Sequence, residues 1–475
     1  MDKRRGGRAI VIGASVAGLV TARVLSDHFD RVTILERDRL PDEAVVRRGV
    51  PQGRHAHVLL TAGQQLLNLW FPRLAEDLLA GGAVPFRTRD VLWHQGGAYW
   101  VRPDPGHPGM SMSRPLLERA IRRQLLLERP NVSIADDVAV DGLILDADRV
   151  VGVRSDAAEH RADLVVGCTG RNTRFLDHLA NAGYPAPEIS AVPIDVAYGT
   201  RLMRRRPDRR DDVPAFILGD PAGVHRMGTA LPVEGDRWIV TLGAAPGEAL
   251  PTDPGEFEEF ARALPAPVLA DILTRSQALG PVLVQGLATS QRRHVERLRR
   301  TPAGFVVLGD AICSVNPIYG QGMSTAAMQA RALGQAIERH GRTSPSLPRD
   351  FYRRAAKAVD MPWRMAAGPA FTGHRSGIAG TIGAEIVDRY FGRVIQACHT
   401  SVPVARRMVR VQNLMARPAA LMTPAMIVRV LLSSRRSPVE GDNRPATDGA
   451  MAGRRRRPGP GTGSGRQDQA RNSSI

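Results

Sequence analysis

The order of apolar and polar positions divides the chain into segments of different period. Residues 9–15 (AIVIGAS) form a continuous apolar run, VAGLVTARVL repeats its apolar positions at helical spacing, and RVTILE is a second buried run. Residues 8–36 therefore read as strand, glycine turn, helix, strand. A basic loop containing Pro and Gly covers 37–57, and 62–81 has the period of one amphipathic helix, stopped at Gly81-Gly82. Short β-like runs occupy 91–101. Residues 113–129 predict a helix with Ser113 as N-cap and Pro115 in its first turn. Residues 132–154 alternate short β-runs with Asp/Gly turns, as a small antiparallel meander does, and ADLVVGCTG returns as a buried strand ending in a glycine turn.

From 185 to 291 the pattern becomes a series of strand-like runs, with Glu234-Gly235-Asp236 as a hairpin turn. GFVVLGDA is again a buried strand, followed by a glycine-rich loop and a long helix over 322–340. Residues 347–432 are amphipathic and helical. The fold expected is α/β: a Rossmann-like domain (8–184, lending strands near 85–112 to the other sheet, and 292–346), an inserted antiparallel sheet that would hold the substrate (185–291), and a helical C-terminal part (347–432). Residues 433–475 are rich in Arg, Gly, Pro and Ser, bury too little to fold, and read as a disordered tail.

Composition narrows the partners. With 475 residues, 43% of them hydrophobic and 24% charged, the chain is too long for one small core and too apolar for general disorder. Its net charge of +18 would suit a polyanion. Lys occurs only at 3 and 357, however, and Arg is spread over the whole chain, so the excess reads as a compositional bias and no nucleic-acid partner is expected. Cys168, Cys313 and Cys398 form no C-x-x-C pair, which leaves reduced, buried thiols rather than a disulfide framework or zinc site. His55 and His57 lack a patterned third ligand, so no metal is expected. There is no run of roughly 18 apolar residues and no secretory h-region, so a cytoplasmic protein without a transmembrane segment is expected. Residues 402–432 mix Arg with Met, Leu and Val as an interfacial membrane helix does, but Pro403, Pro418 and Pro424 divide them. Short helices packed on the first domain, Arg outward, are favoured over peripheral membrane contact.

Two segments carry chemistry. Gly13-Ala14-Ser15-Val16-Ala17-Gly18 follows a strand and opens a helix: Gly13 makes the tight turn, Gly18 allows close packing, and the helix N-terminus offers N–H groups to a pyrophosphate. Ser15 stands where a second glycine is usual. Glu36 ends the second strand, where a carboxylate accepts from a ribose hydroxyl. The second segment is GDAICSVNPIYGQGM, in which Gly309 and Asp310 end a buried strand and Pro317, Gly320 and Gly322 lead into a helix N-terminus. Asp310 can accept from a polyol chain, and the helix N-terminus can stabilise negative charge on a bound ring. The plain alternative for both is a β-turn-α junction with a capping side chain.

Together with the central DLVVGCTGRNTR, these segments resemble the three flavin motifs of the FAD-dependent aromatic hydroxylase superfamily. RRGVPQGRHAHVLL, ERDRLP and NPIYGQGM are similar to its bacterial polyether-epoxidase branch and, more remotely, to squalene epoxidase. The resemblance implies FAD, held by Gly13, Ser15 and Gly18 at the pyrophosphate, Glu36 at the adenosine ribose, Gly309 and Asp310 at the ribityl chain, and Pro317, Gly320 and Gly322 against the isoalloxazine. Arg114, and secondarily Arg54, would reach phosphate or ribose. In this family reduced flavin meets O2, forms a C4a-hydroperoxide and passes one oxygen atom to the substrate. In the central motif Thr169 replaces the family's aspartate, so NAD(P)H would act as electron source directly or through a separate flavin reductase.

No His or carboxylate of the expected substrate sheet announces itself as a base, which favours a large apolar substrate, such as a polyketide or terpenoid of secondary metabolism, over simple phenols. Tyr198, Phe216 and Trp238, with Asn316 and Tyr319, are the candidate lining residues; no catalytic side chain is assigned. The alternatives are an FAD-dependent dehydrogenase or reductase on the same scaffold and a non-catalytic flavin-binding regulator. A halogenase is disfavoured by the absence of a Trp-x-Trp-x-Ile-Pro segment.

Overall fold

The computed structural model describes residues 6–434, apart from 105, 107, 157, 207–212, 220–225, 245–246 and 368–381. The expected tail lies outside the described residues from 435 onward. Five parallel strands form the first sheet, in the order Phe305–Val307, Leu164–Gly167, Arg8–Ile12, Arg31–Leu35, Val132–Ala135. The side chains of Arg8–Ile12, Leu164–Gly167 and Phe305–Val307 are buried almost throughout, as a parallel sheet covered on both faces requires. Helices Val16–Leu25, Arg114–Glu128 and Gly322–His340 pack around it in one large core. Every strand runs the same way, so Gly13, Glu36, Gly167 and Gly309 all emerge at one edge, the edge where α/β sheets bind ligands.

Val132–Ala135 is a strand of this sheet and not part of the meander, which is the three-stranded unit Val140–Asp146, Arg149–Ser155, Glu159–Arg161. The expected helix over 62–81 is two helices, Thr61–Trp70 and Leu74–Ala80. Pro72 between them has no N–H to continue the ladder.

The second sheet has eight strands: Cys313–Ser314, Leu283–Arg293, Ile189–Arg204, Arg237–Gly243, Met227–Val233, Ala215–Ile217, Leu92–Gln95, Ala98–Tyr99. It is antiparallel except where Ala215–Ile217 runs parallel to Leu92–Gln95. Alternation assigns its faces. Met203, Ala215, Trp238, Val240 and Leu242 pack against helices Pro254–Arg262 and Val268–Arg275, while Leu202, Phe216, Leu231 and Ile239 face the loop through Ala56 and Val58.

The C-terminal helices Ile382–Ala397, Val402–Gln412 and Pro424–Ser433 do not bury their apolar side on the parallel-sheet domain. Val394, Val404, Met408, Val411 and Val430 cluster around Trp100, Trp93 and Val101 of the second sheet's edge. One polar clip reaches the first domain: Asn413 Oδ1 accepts from Thr61 N and Thr61 Oγ1 at 3.1 and 2.9 Å, and Asn413 O accepts from Ala62 N. Helix Thr61–Trp70 has no cap from its own N-cap residue, so Asn413 supplies one from a distant segment. Among the described residues, no helix is long and apolar enough to cross a membrane.

Candidate functional site: a nucleotide cleft joined to an apolar cavity

The cleft starts from two glycines. Gly13 has φ +104°, and a Cβ there would stand 2.8 Å from Cys168 O. A Cβ on Gly18 would stand 1.7 Å from Gly13 O, so the helix can lie this close to its own turn only without a side chain. Beside the helix N-terminus, the buried Glu36 accepts from Ala14 N (2.6 Å) and Asp38 N (3.1 Å). Arg47 Nη1 lies 3.1 Å from Glu36 and 3.2 Å from Asp38, and Arg47 Nη2 3.5 Å from Glu118. Arg114 donates from Nε to Glu118 (2.9 Å), from Nη1 to His57 Nε2 (3.1 Å) and from Nη2 to Ser15 Oγ (2.8 Å); Ser15 in turn donates to Glu118 at 2.6 Å. Burial works against the Glu118 carboxylate, but Arg114 and Arg47 outweigh it and hold its pKa below the usual range. Burial and the neighbouring Arg114 push the His57 pKa down to about 3, so this ring is neutral at physiological pH.

Opposite, Gly309 (φ +77°) donates its N–H to Gln329 Oε1, and Asp310 is solvent-accessible at the floor of the cleft, near the Cα of Gly322. Its depth in the protein raises the Asp310 pKa, against the opposing pull of Arg114 and Arg171. Asn316 Oδ1 accepts from Ile318 N (3.1 Å) and from Tyr198 OH (2.9 Å), fixing the start of the turn Pro317–Tyr319. Gly320 follows in the left-handed region (φ +62°) and opens helix Gly322–His340.

Below this loop lies a cavity of about 320 Å³. Trp93, Phe216, Met227 and Leu231 come from the second sheet; His57, Leu59 and Leu60 from the basic loop; Asn316, Tyr319 and Gln321 from the glycine loop; Met365, Met408 and Met415 from the C-terminal part. Trp93 stacks obliquely on Trp100 and Phe216, with centroids 5.3 and 5.0 Å apart, giving one aromatic wall. Among the described residues, five methionines line the space together with Arg102 and Arg410, and no Asp or Glu does.

The structure brings Gly13, Ser15, Gly18, Glu36, Arg114, Gly309, Asp310, Gly320 and Gly322 to one cleft, with Pro317 at its border. Phe216, Asn316 and Tyr319 line the cavity. Two expectations need correction. Trp238 faces the helices on the other side of its sheet, because alternation along Arg237–Gly243 turns even-numbered residues away from the cavity. Tyr198 stands behind Asn316 and reaches the site only through its hydroxyl. Arg54, the second cation expected at the cofactor, is solvent-accessible like Asp310, and Arg47 from the same loop lies beside Glu36. Arg47 and Glu118 were not singled out from the sequence; Glu118 lies one helical turn after Arg114, a spacing that could have revealed it.

A glycine turn that excludes any side chain, a buried carboxylate at the second strand end and an accessible aspartate opposite fit the phosphate, ribose and ribityl parts of FAD. The profile of the family described as FAD binding domain matches residues 8–361. Protein Rv3254 of Mycobacterium tuberculosis is 34% identical over 389 residues, covering 76% of this chain and 79% of that protein. Kynurenine 3-monooxygenase of Salinispora arenicola is 25% identical over 443 residues, 86% and 91% of the two chains. The flavin-dependent brominase Bmp2 shares the fold, with TM-score 0.64, 15% identity and coverage of 91% of this chain and 99% of that one. The chain belongs to the FAD-binding domain family, within the FAD-dependent aromatic hydroxylase superfamily of monooxygenases, and its cofactor is FAD.

Proposed function

We propose that this protein is a cytoplasmic monooxygenase that inserts one oxygen atom from O2 into a large apolar substrate, such as a polyketide or terpenoid of secondary metabolism, by epoxidation or hydroxylation. The observation that carries the reading is the cavity of about 320 Å³, walled mainly by apolar, aromatic and methionine side chains, with Arg102 and Arg410 also in its lining and no carboxylate among the described residues, which ends on the loop through Asn316 and Gln321. FAD, reduced by NAD(P)H directly or through a flavin reductase, supplies the oxygen-activating chemistry when bound. Glu36 would hold its adenosine ribose, Arg114 and the N-terminus of Val16–Leu25 its phosphates, and Asp310 its ribityl chain.

The described side chains around the cavity position a substrate and exclude water; none of them is poised to remove a proton. Both His57 nitrogens are engaged, by Arg114 and by His55 O. Burial raises the pKa of Tyr198 and of Tyr319, so both stay protonated. A phenol, which reacts better once deprotonated, would find no base here, whereas an alkene or other electron-rich carbon needs none. The test is anaerobic addition of NADPH to the purified holoenzyme while its visible flavin absorption is followed. Prompt bleaching is expected if the nicotinamide acts directly; bleaching by dithionite alone assigns reduction to a separate reductase. A protein that takes up no FAD overturns the reading.

A further inference from the structure

The serine in the fingerprint has a partner that the motif does not explain. Ser15 Oγ is engaged as donor and as acceptor: it donates to Glu118 and accepts from Arg114. Each nitrogen of the Arg114 guanidinium has one partner, Glu118 on Nε, His57 on Nη1 and Ser15 on Nη2. A guanidinium carries five N–H groups, so one remains on each terminal nitrogen, a pair of donors suited to two oxygens of a phosphate. The His57 tautomer follows from the same bonds. Arg114 can only donate, so His57 Nε2 accepts, and the proton sits on Nδ1, which donates to His55 O at 3.0 Å. His57 is also a wall residue of the apolar cavity.

We propose that Ser15, Glu118 and His57 are positioning residues that brace Arg114 for a phosphate of the cofactor, and that His57 extends the brace into the cavity wall, so that filling the cavity changes the grip on FAD. The inference rests on the FAD reading above. Without the brace, Arg114 is a long side chain with many rotamers whose ordering FAD would have to bring about on binding. With it, the guanidinium is preorganised. Serine at position 15 then compensates for the backbone approach that a glycine there would give.

The experiment is titration of FAD into the deflavinated full chain, followed by quenching of flavin fluorescence, with thermal melts of each variant as the control for folding. His57→Leu removes the acceptor and is expected to raise the Kd about ten-fold, the usual effect of deleting a hydrogen bond to a charged group. His57→Gln offers an amide oxygen in its place and is expected to stay within about three-fold of wild type. Ser15→Gly restores the common fingerprint yet is expected to weaken binding.

Equal losses in His57→Leu and His57→Gln, or Ser15→Gly binding as tightly as wild type, would overturn the brace while leaving the FAD reading intact. A wild-type chain that binds no FAD would overturn that reading itself. The reach into the cavity is tested by the rate of FAD release from the holoenzyme with and without dodecanol: a changed rate in wild type and an unchanged one in His57→Leu is expected. No change in wild type would overturn the linkage.

Discussion

The cleft and the cavity share His57 and the loop through Asn316, yet opposite physics builds them. In the cleft, charges of both signs lie within hydrogen-bonding distance of one another, and backbone geometry sets the shape: Gly18 tolerates no Cβ and Gly320 sits in the left-handed region. In the cavity the walls are soft. Met110, Met227, Met365, Met408 and Met415 are unbranched and polarisable, and they can refill space around ligands of different outline. A cleft of the first kind holds one ligand in one pose; a cavity of the second kind admits a class of molecules. The division suits an enzyme with a constant cofactor and a varied or bulky apolar substrate.

The sharpest way to break this contrast is at Gly18. Gly18→Val forces an overlap with Gly13 O and is expected to abolish flavin retention and cost about 3 kcal/mol or more of stability, read from visible absorbance and a thermal melt. A stable, yellow variant would show that backbone closeness does not define the cleft. Next in size is the pH response of His57. Its folded pKa of about 3 lies below the unfolded value of 6.5, so as pH falls from 7 to 5 the unfolded chain takes up a proton that the folded chain refuses. His57 alone is expected to lower stability by about 2 kcal/mol over that interval, a loss that His57→Gln lacks, as measured by denaturant titration of both proteins.

The cavity side is probed by Met415→Trp, which fills space without touching the cleft. Dodecanol binding is expected to weaken about ten-fold, and the effect of dodecanol on FAD release to shrink with it; undiminished dodecanol binding would show that Met415 does not wall the space that dodecanol enters. The smallest effect is expected at the clip. Asn413→Ala removes the cap on helix Thr61–Trp70 and should lower stability by about 1 kcal/mol with flavin content unchanged.

The same contrast explains what the sequence reveals. Gly13, Gly18, Glu36, Asp310 and Gly320 are legible because each answers a local demand, a turn or a strand end, that leaves a fixed residue type at a fixed spacing. The parallel sheet is legible for the same reason, as runs of buried residues bounded by those turns. The cavity is assembled from residues near 60, 95, 216, 320, 365 and 410, and no local pattern announces that they meet. Trp238 was misread because an aromatic on a strand gives its presence but not which face it occupies until register is known. Glu118 has a local signal, its one-turn spacing from Arg114, but Arg47 is hidden by abundance: in a chain with so many arginines, only the fold selects the one that faces Glu36.

Strand order in the parallel sheet also has a meaning in time. Arg8–Ile12 is central, with Arg31–Leu35 following at once, but its other neighbour, Leu164–Gly167, comes some 150 residues later and the edge strand Phe305–Val307 later still. At a synthesis rate of about 5–20 residues per second, the open edge of that first strand waits roughly ten seconds or more on the ribosome before it is paired. The cap from Asn413 and the cavity's Met408 and Met415 arrive after everything they cover. A nascent chain therefore exposes an unpaired strand edge first and an unroofed apolar hollow last, the two features most prone to wrong pairing before the chain is complete.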